Sequence, residues 1–483
     1  MMRSLFSGVS GLQNHQKRMD VIGNNIANVN THGFKKNRVN FQDIIYQNEG
    51  SASRPNENIG GINPKQIGIG MSVATIDTIH TQGSLEGTGL SSDLAIKGNG
   101  FFVLQQGDQT MYSRDGAFSV DTDGILVNPA TGMRVLGWTA DEAQRLNVSA
   151  TPDSISIPLY GKLRPQSTGR VDLACNLDKN LPIIPPDATV EQIRQGTWSV
   201  TKTIYDSFGA EHSLRFDFTR SLDGAGNPLP NNWTVTSYVD PTTDAQGVVT
   251  DGGNTAVGIG GIPAAGTGNT FTVQFANDGS ILQVTDAAGN IVPGAVDAEG
   301  APIPGFNLSL QLAYDVQDSN PDAAGALQRQ VMLVDAGDVG DFNDSLTQDS
   351  AAASSKAVRQ DGYKLGYLTQ YEIDSRGIVT GIYDNGIRKT LAQVAMATFT
   401  NPGGLEKVGS NNFMQTVNSG EARVGEALTA GKGSIASGTL EMSNVDLAQE
   451  FVDMITTQRG FQANSRTIQT SDQLLQELLT LKR

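Results

Sequence analysis

The chain has 483 residues, too many for one ordinary core and enough for about three domains. Charged residues make up only 17% and aromatics 6%, while glycine occurs 55 times, a balance that favours many short strands joined by tight turns. The formal net charge is −16 and basic clusters such as Lys35, Lys36 and Arg38 are isolated, which excludes the basic face needed for nucleic acid or an anionic membrane surface.

No stretch is long and apolar enough to span a bilayer, and the first residues lack the apolar run and cleavage site of a signal peptide. That pattern reads as cytoplasmic, and equally as export by a system that removes no leader. The single cysteine, Cys175, rules out an intrachain disulfide.

The N-terminal segment reads first as a helix. From Ser4 to Val29, apolar residues recur at Leu5, Val9, Leu12, Met19, Ile22, Ile26 and Val29, a heptad-like stripe interrupted by Gln16. Residues 36–75 read as a linker, with hinge freedom near Glu49 to Gly61. The period then changes to two. Phe101–Leu104, Gly116–Val120 and Gly124–Val127 read as strands, as do stretches around Trp198–Ile204, Ser213–Phe218, Trp233–Tyr238 and Thr270–Phe275. From about Asp240 to Gly305 the chain is dense in Gly, Ala, Asp and Pro, and strands resume over Gly362–Tyr371 and Gly377–Tyr383. The C-terminal segment returns to a helical stripe at Leu447, Phe451, Met454, Phe461, Ile468, Leu475 and Leu478, with Ser443 and Asn444 as expected N-caps ahead of Asp446.

Two short terminal helices are marginal alone. They bury their stripes against each other as a closing hairpin, or against copies in neighbouring subunits. The expected fold is mainly β with paired terminal α-helices in a nested arrangement. Its parts are a helical domain (1–35 and 440–483), an inner β-rich domain (76–170 and 356–439) and an outer one (171–355).

Several motifs resemble the flagellar rod and hook proteins. They are Ser7-Gly8-Val9-Ser10-Gly11-Leu12, then Asn24-Asn25-Ile26-Ala27-Asn28-Val29-Asn30-Thr31 and Gly33-Phe34-Lys35. Further along stand Asp93-Leu94-Ala95-Ile96 with Gly98-Asn99-Gly100-Phe101-Phe102, and Tyr112-Ser113-Arg114-Asp115-Gly116. The C-terminal match runs over Leu440-Glu441-Met442-Ser443-Asn444-Val445-Asp446-Leu447 and Gln458-Arg459-Gly460-Phe461-Gln462-Ala463-Asn464-Ser465. For any single asparagine of the first block a plain helix C-cap is an equal account. The long stretch between the inner halves resembles the outer domain of a hook subunit, since rod subunits are shorter there.

The resemblance implies a structural polymer without turnover: a curved, flexible tube that transmits torque. Its implied partners are copies of itself, the rod and hook–filament junction proteins, the hook cap and the export apparatus. It implies no cofactor and no metal, and a place in the flagellar hook, periplasmic if the source is a spirochaete. Cys175, with Asn176 beside it and Lys162 thirteen positions earlier, resembles spirochaetal hook proteins, in which a cysteine and a neighbour's lysine join as lysinoalanine. There Asn176 would orient the reacting groups, and Lys179 competes with Lys162. Read by itself, a solitary cysteine is a small buried hydrophobe.

Other signals fail. Asp121-Thr122-Asp123-Gly124 opens like a calcium loop but has Gly132 at the closing position, so a type I′ turn is expected. His15, His32, His80 and His212 lack metal-ligand spacing, and Gly258-Ile259-Gly260-Gly261 is a loop rather than a phosphate cradle. A distal-rod or hook-associated protein, a secreted β-rich adhesin, and a hydrolase within the outer domain are the competing readings.

Overall fold

The structure is a computed structural model and describes residues 2–481, apart from 53, 55–59, 142–143, 225, 244–248, 251–255, 259–267, 287–288, 292–302, 304 and 316–328. Much of the Gly-rich stretch from Asp240 to Gly305, including the loop at 259–261, therefore lies outside the described residues. The chain divides into two units: Met1–Tyr160 with Leu368–Ile382 and Arg388–Arg483, and Gly161–Tyr367 with Tyr383–Ile387.

The first unit begins and ends in helices, Met2–Ala27 and Leu447–Leu481, which lie against each other. The second helix starts at Asp446, whose Oδ1 accepts the amides of Ala448 (2.9 Å) and Gln449 (3.3 Å). This corrects the expected caps. Asn444 instead gives its side chain to Lys36, Ile79 and Thr81.

Residues 36–75 hold paired strands rather than a bare tether. Asn37–Asp43 runs antiparallel to Met71–Thr78, and Tyr46–Gly50 to Lys65–Gly68. The hairpin lies along the N-terminal helix. Asn14 Nδ2 donates to Met71 O at 2.6 Å, and a Cβ at Gly70 (φ 135°) would stand 2.2 Å from Ser10 Oγ. Part of the expected hinge near Glu49 to Gly61 lies outside the described residues.

The β-body of this unit interleaves distant stretches of sequence. Phe101–Gln106 pairs with Gln109–Ser113 and with Arg134–Thr139, which in turn pairs with Arg388–Val394. Leu94–Lys97 pairs with Ser434–Ser437, and Leu85–Gly87 with Thr439–Glu441. Apolar side chains alternating along these strands meet in a core of Phe101, Val103, Tyr112, Leu136, Trp138 and Phe413. The expected strand at Gly116–Val120 shrinks to Ser119–Val120, because Gly116 is where two backbones cross: Leu94 N donates to its carbonyl, and a Cβ there would stand 1.6 Å from Leu94 O.

The second unit is a sandwich. One sheet is the meander Trp198–Tyr205, Glu211–Leu222, Pro228–Val239, Thr270–Phe275, Ile281–Thr285. The other is built around Arg170–Asp178, flanked by Arg329–Asp338, Thr347–Asp349 and Ser354–Gln360. Val171, Leu173 and Leu177 from one sheet meet Phe216, Phe218, Trp233 and Phe271 from the other.

A local device recurs in the turns. At Asp121, Asp206 and Asp374 the carboxylate Oδ1 accepts the amides two and four residues on, and a glycine three residues on has positive φ. Only Gly124 of the first turn is left-handed, so it is a type I turn closed by glycine and not the expected type I′, which needs positive φ at both central residues.

Candidate functional site

Two places carry the chemistry. The first is where the terminal segments join the β-body. Lys35 follows Gly33, whose φ of 68° turns the chain so tightly against Asp115 that a Cβ would stand 2.6 Å from its amide nitrogen. Lys35 and Glu441 are wholly buried and pair at 2.6 Å. Arg114 Nη1 reaches the other carboxylate oxygen at 3.2 Å, and Gly83 N donates to the first at 2.9 Å. Lys35 Nζ also donates to Thr81 O, and Arg114 Nη2 to Gly98 O. Burial lowers the pKa of both cations, while Glu441 opposes this. Beside them, burial brings Lys407 down to about 8; its Nζ donates to Lys35 O and Asn37 Oδ1 and stands over the Phe34 ring.

The same junction absorbs the asparagines. Asn28 Nδ2 caps the carbonyl of Asn24 at 2.9 Å, an ordinary C-cap. Asn25 does more. It is buried, exchanges hydrogen bonds with the Asn37 backbone and donates to Glu450 Oε2 of the C-terminal helix. Sequence reading missed Glu441 and Arg114 as a pair, although both stood in quoted motifs; a buried partner 327 positions away leaves no local signal.

Between the helices, glycines and polar groups interleave with apolar ones. A Cβ at Gly8 would meet Ile468 at 3.0 Å, one at Gly11 would meet Asn464 at 2.6 Å, and one at Gly460 would meet His15 at 2.8 Å. Ser4 and Ser471 share a hydrogen bond, and Arg18 pairs with Asp453. Of the expected stripe, Ile22 is buried; Leu5, Leu12, Met19, Ile26, Met454, Phe461, Ile468 and Leu475 are half-buried; Val9, Leu447 and Phe451 are exposed. Phe6 is 62% exposed, Phe451 50%, Val452 54% and Ile455 56%, so large apolar groups are left bare toward both ends of the helix pair.

The second place surrounds Cys175. Its side chain is 1% exposed within the sandwich core, and burial pushes its thiol up to about 12. Asn176 Nδ2 donates to Asp349 Oδ1 at 2.9 Å, and Thr347 Oγ1 donates to Asn176 Oδ1 at 3.2 Å. Lys162 is exposed, pairs through its backbone with Tyr367 and stands 5.8 Å over that ring. Lys179 donates its backbone amide to Asp349 O. Among the described residues no hydrogen bond or ion pair joins Cys175 to either lysine.

A helical pair of chain ends clamped to a β-body, with a further β-unit carried on an insert in the sequence, is the architecture of flagellar axial proteins. Comparison with known proteins bears on this along the whole chain. Residues 5–35 match the flagella basal body rod protein family, 95–164 the flagellar hook protein FlgE/F/G D1 domain, 176–363 the flagellar basal body protein FlaE D2 domain, and 436–481 the flagellar basal body rod FlgEFG protein C-terminal family. Flagellar hook protein FlgE of Treponema pallidum is 48% identical, that of Borreliella burgdorferi 47%, each covering 100% of both chains. Flagellar hook protein FlgE of Salmonella typhimurium is 31% identical over 99% of this chain and 100% of its own. The chain belongs to the flagellar hook protein FlgE family, whose members are structural proteins rather than enzymes.

Proposed function

We propose that this chain is the repeating subunit of a hook tube, with the helical pair forming the inner wall and the β-units the outside. The observation that carries this is the set of large apolar groups left bare on the paired helices. Phe6, Val9, Phe451, Val452 and Ile455 are exposed, and copies of the chain would cover them. Sliding of neighbouring subunits along such contacts lets the tube bend while transmitting torque. Rod and hook–filament junction proteins, a cap at the growing end and the export apparatus are the partners of such a subunit. The test is seeded polymerisation followed by sedimentation and electron microscopy. A Phe451→Glu/Val452→Glu chain should stay soluble with an unchanged circular dichroism spectrum; if it forms tubes as the parent does, the reading fails.

Within the tube, Cys175 and Lys162 are the pair for lysinoalanine, with Asn176 orienting and Lys179 the competitor. A base removes the Cα proton of Cys175 and the Cβ–Sγ bond breaks, releasing hydrosulfide and leaving dehydroalanine. The neutral Lys162 amine of a neighbouring copy adds to Cβ, and Cα takes up a proton; the net loss is one hydrogen sulfide. Enclosure of Cys175 in the sandwich core keeps a base and a lysine amine away from it in the free subunit, which makes assembly the trigger. Peptide mass spectrometry on assembled tubes at mildly alkaline pH should find a Lys162–Cys175 pair lighter by hydrogen sulfide. Tubes that dissolve wholly to monomer with the thiol intact would sink this second reading and leave the first standing.

A further inference from the structure

We propose that His80 is an acid-sensitive latch at the junction, its protonation loosening the hold of the β-body on the terminal helices. The imidazole stands edge-on to Phe101, centroids 5.6 Å apart, and tilted on Phe413 at 5.4 Å, and neither ring nitrogen has a hydrogen-bond partner. A neutral ring tolerates such a box; an imidazolium brings two N–H donors into it, with the Pro402 carbonyl beside it as a weak acceptor for one of them.

The surrounding charge is adverse as well. Lys35 faces the ring from the segment after the first helix, Arg114 from the turn after Gln109–Ser113, and Lys407 from the strand Glu406–Gly409. Glu441, from Thr439–Glu441, is already shared by Lys35 and Arg114. Protonating His80 would therefore add a charge beside three cations, of which Glu441 already pairs with two.

Burial first, then Lys35, Arg114 and Lys407, lower the pKa of His80 from 6.5 to about 4, with the Pro402 carbonyl pulling weakly the other way. Since the unfolded chain takes up this proton more readily, the stability present above pH 6.5 is lost as pH falls toward about 4. What gives way is the cluster that ties chain ends to body: Lys35–Glu441, Arg114–Glu441, and the Asn444 bonds to Lys36 and Ile79.

The full chain with 13C-labelled histidine tests this by NMR titration, alongside hydrogen exchange of both helices against pH. We expect His80 to titrate at least about one unit below a free histidine, and helix exchange, corrected for its intrinsic rate, to speed up about tenfold between pH 6.5 and 4.5 while the β-core stays protected. His80→Phe keeps the aromatic box and should abolish that acceleration. If it misfolds, Lys407→Met serves, since losing one facing cation should raise the titration point of His80 and shrink the effect. A His80 that titrates at 6.5 in the folded chain, or acid release unchanged in a folded variant, overturns the proposal.

Discussion

Glu441 shows how much one side chain can govern. It is the carboxylate for two buried cations, and Glu441→Gln would leave Lys35 and Arg114 without a counter-charge at a cost of about 3–5 kcal/mol. Chemical denaturation should show that loss, and retention of the parental midpoint would refute the clamp. Cys175 makes a different forecast. With its thiol near 12 and the group inside a sandwich, a thiol reagent at pH 8 should react at least about 100-fold more slowly in the folded monomer than in denaturant. Because the folded pKa is raised, the neutral thiol's contribution is intact below pH 9 and lost as pH rises toward about 12, so Cys175→Ala should flatten the alkaline end of the stability curve. Cys175 was legible as buried or reactive but not as which, since its address in a nine-residue strand depends on the sheet opposite.

Among the elements, the helices were the most readable, although the C-terminal one is capped two or three residues beyond the expected Ser443 or Asn444. Ser443, Asn444 and Asp446 all have capping side chains, and sequence spacing does not tell which one the junction takes for another use; Asn444 is taken, so Asp446 caps. The facing surface was harder to read. An apolar stripe suggests an apolar seam, yet Gly8, Gly11 and Gly460 set backbone against Ile468, Asn464 and His15, and Val9, Leu447 and Phe451 of the stripe are left exposed. Gly11→Leu would press on Asn464 and should cost about 1–3 kcal/mol of helix pairing, measured as earlier loss of helical circular dichroism on heating. An unshifted melt would mean that the seam is loose. The aspartate turns behave more locally. Asp374→Ala removes two side-chain bonds to Arg376 and Ile378 and should cost about 1 kcal/mol in denaturant titration.

At the scale of the whole molecule, the chain ends belong to the same unit as strands near residues 100 and 390, and a long insert between them folds as its own sandwich. Period-two and heptad patterns in the sequence by themselves determined the kinds of element and their order, because alternation and the 3.6-residue turn are local properties of the backbone. Ordered motifs at both ends determined the family. Tertiary structure alone decided which carboxylate neutralises Lys35, which face of each helix is left bare, and that the one cysteine is enclosed. Each of these is set by groups tens to hundreds of positions apart, and burial and electrostatic pairing arise only once the fold has brought such groups together.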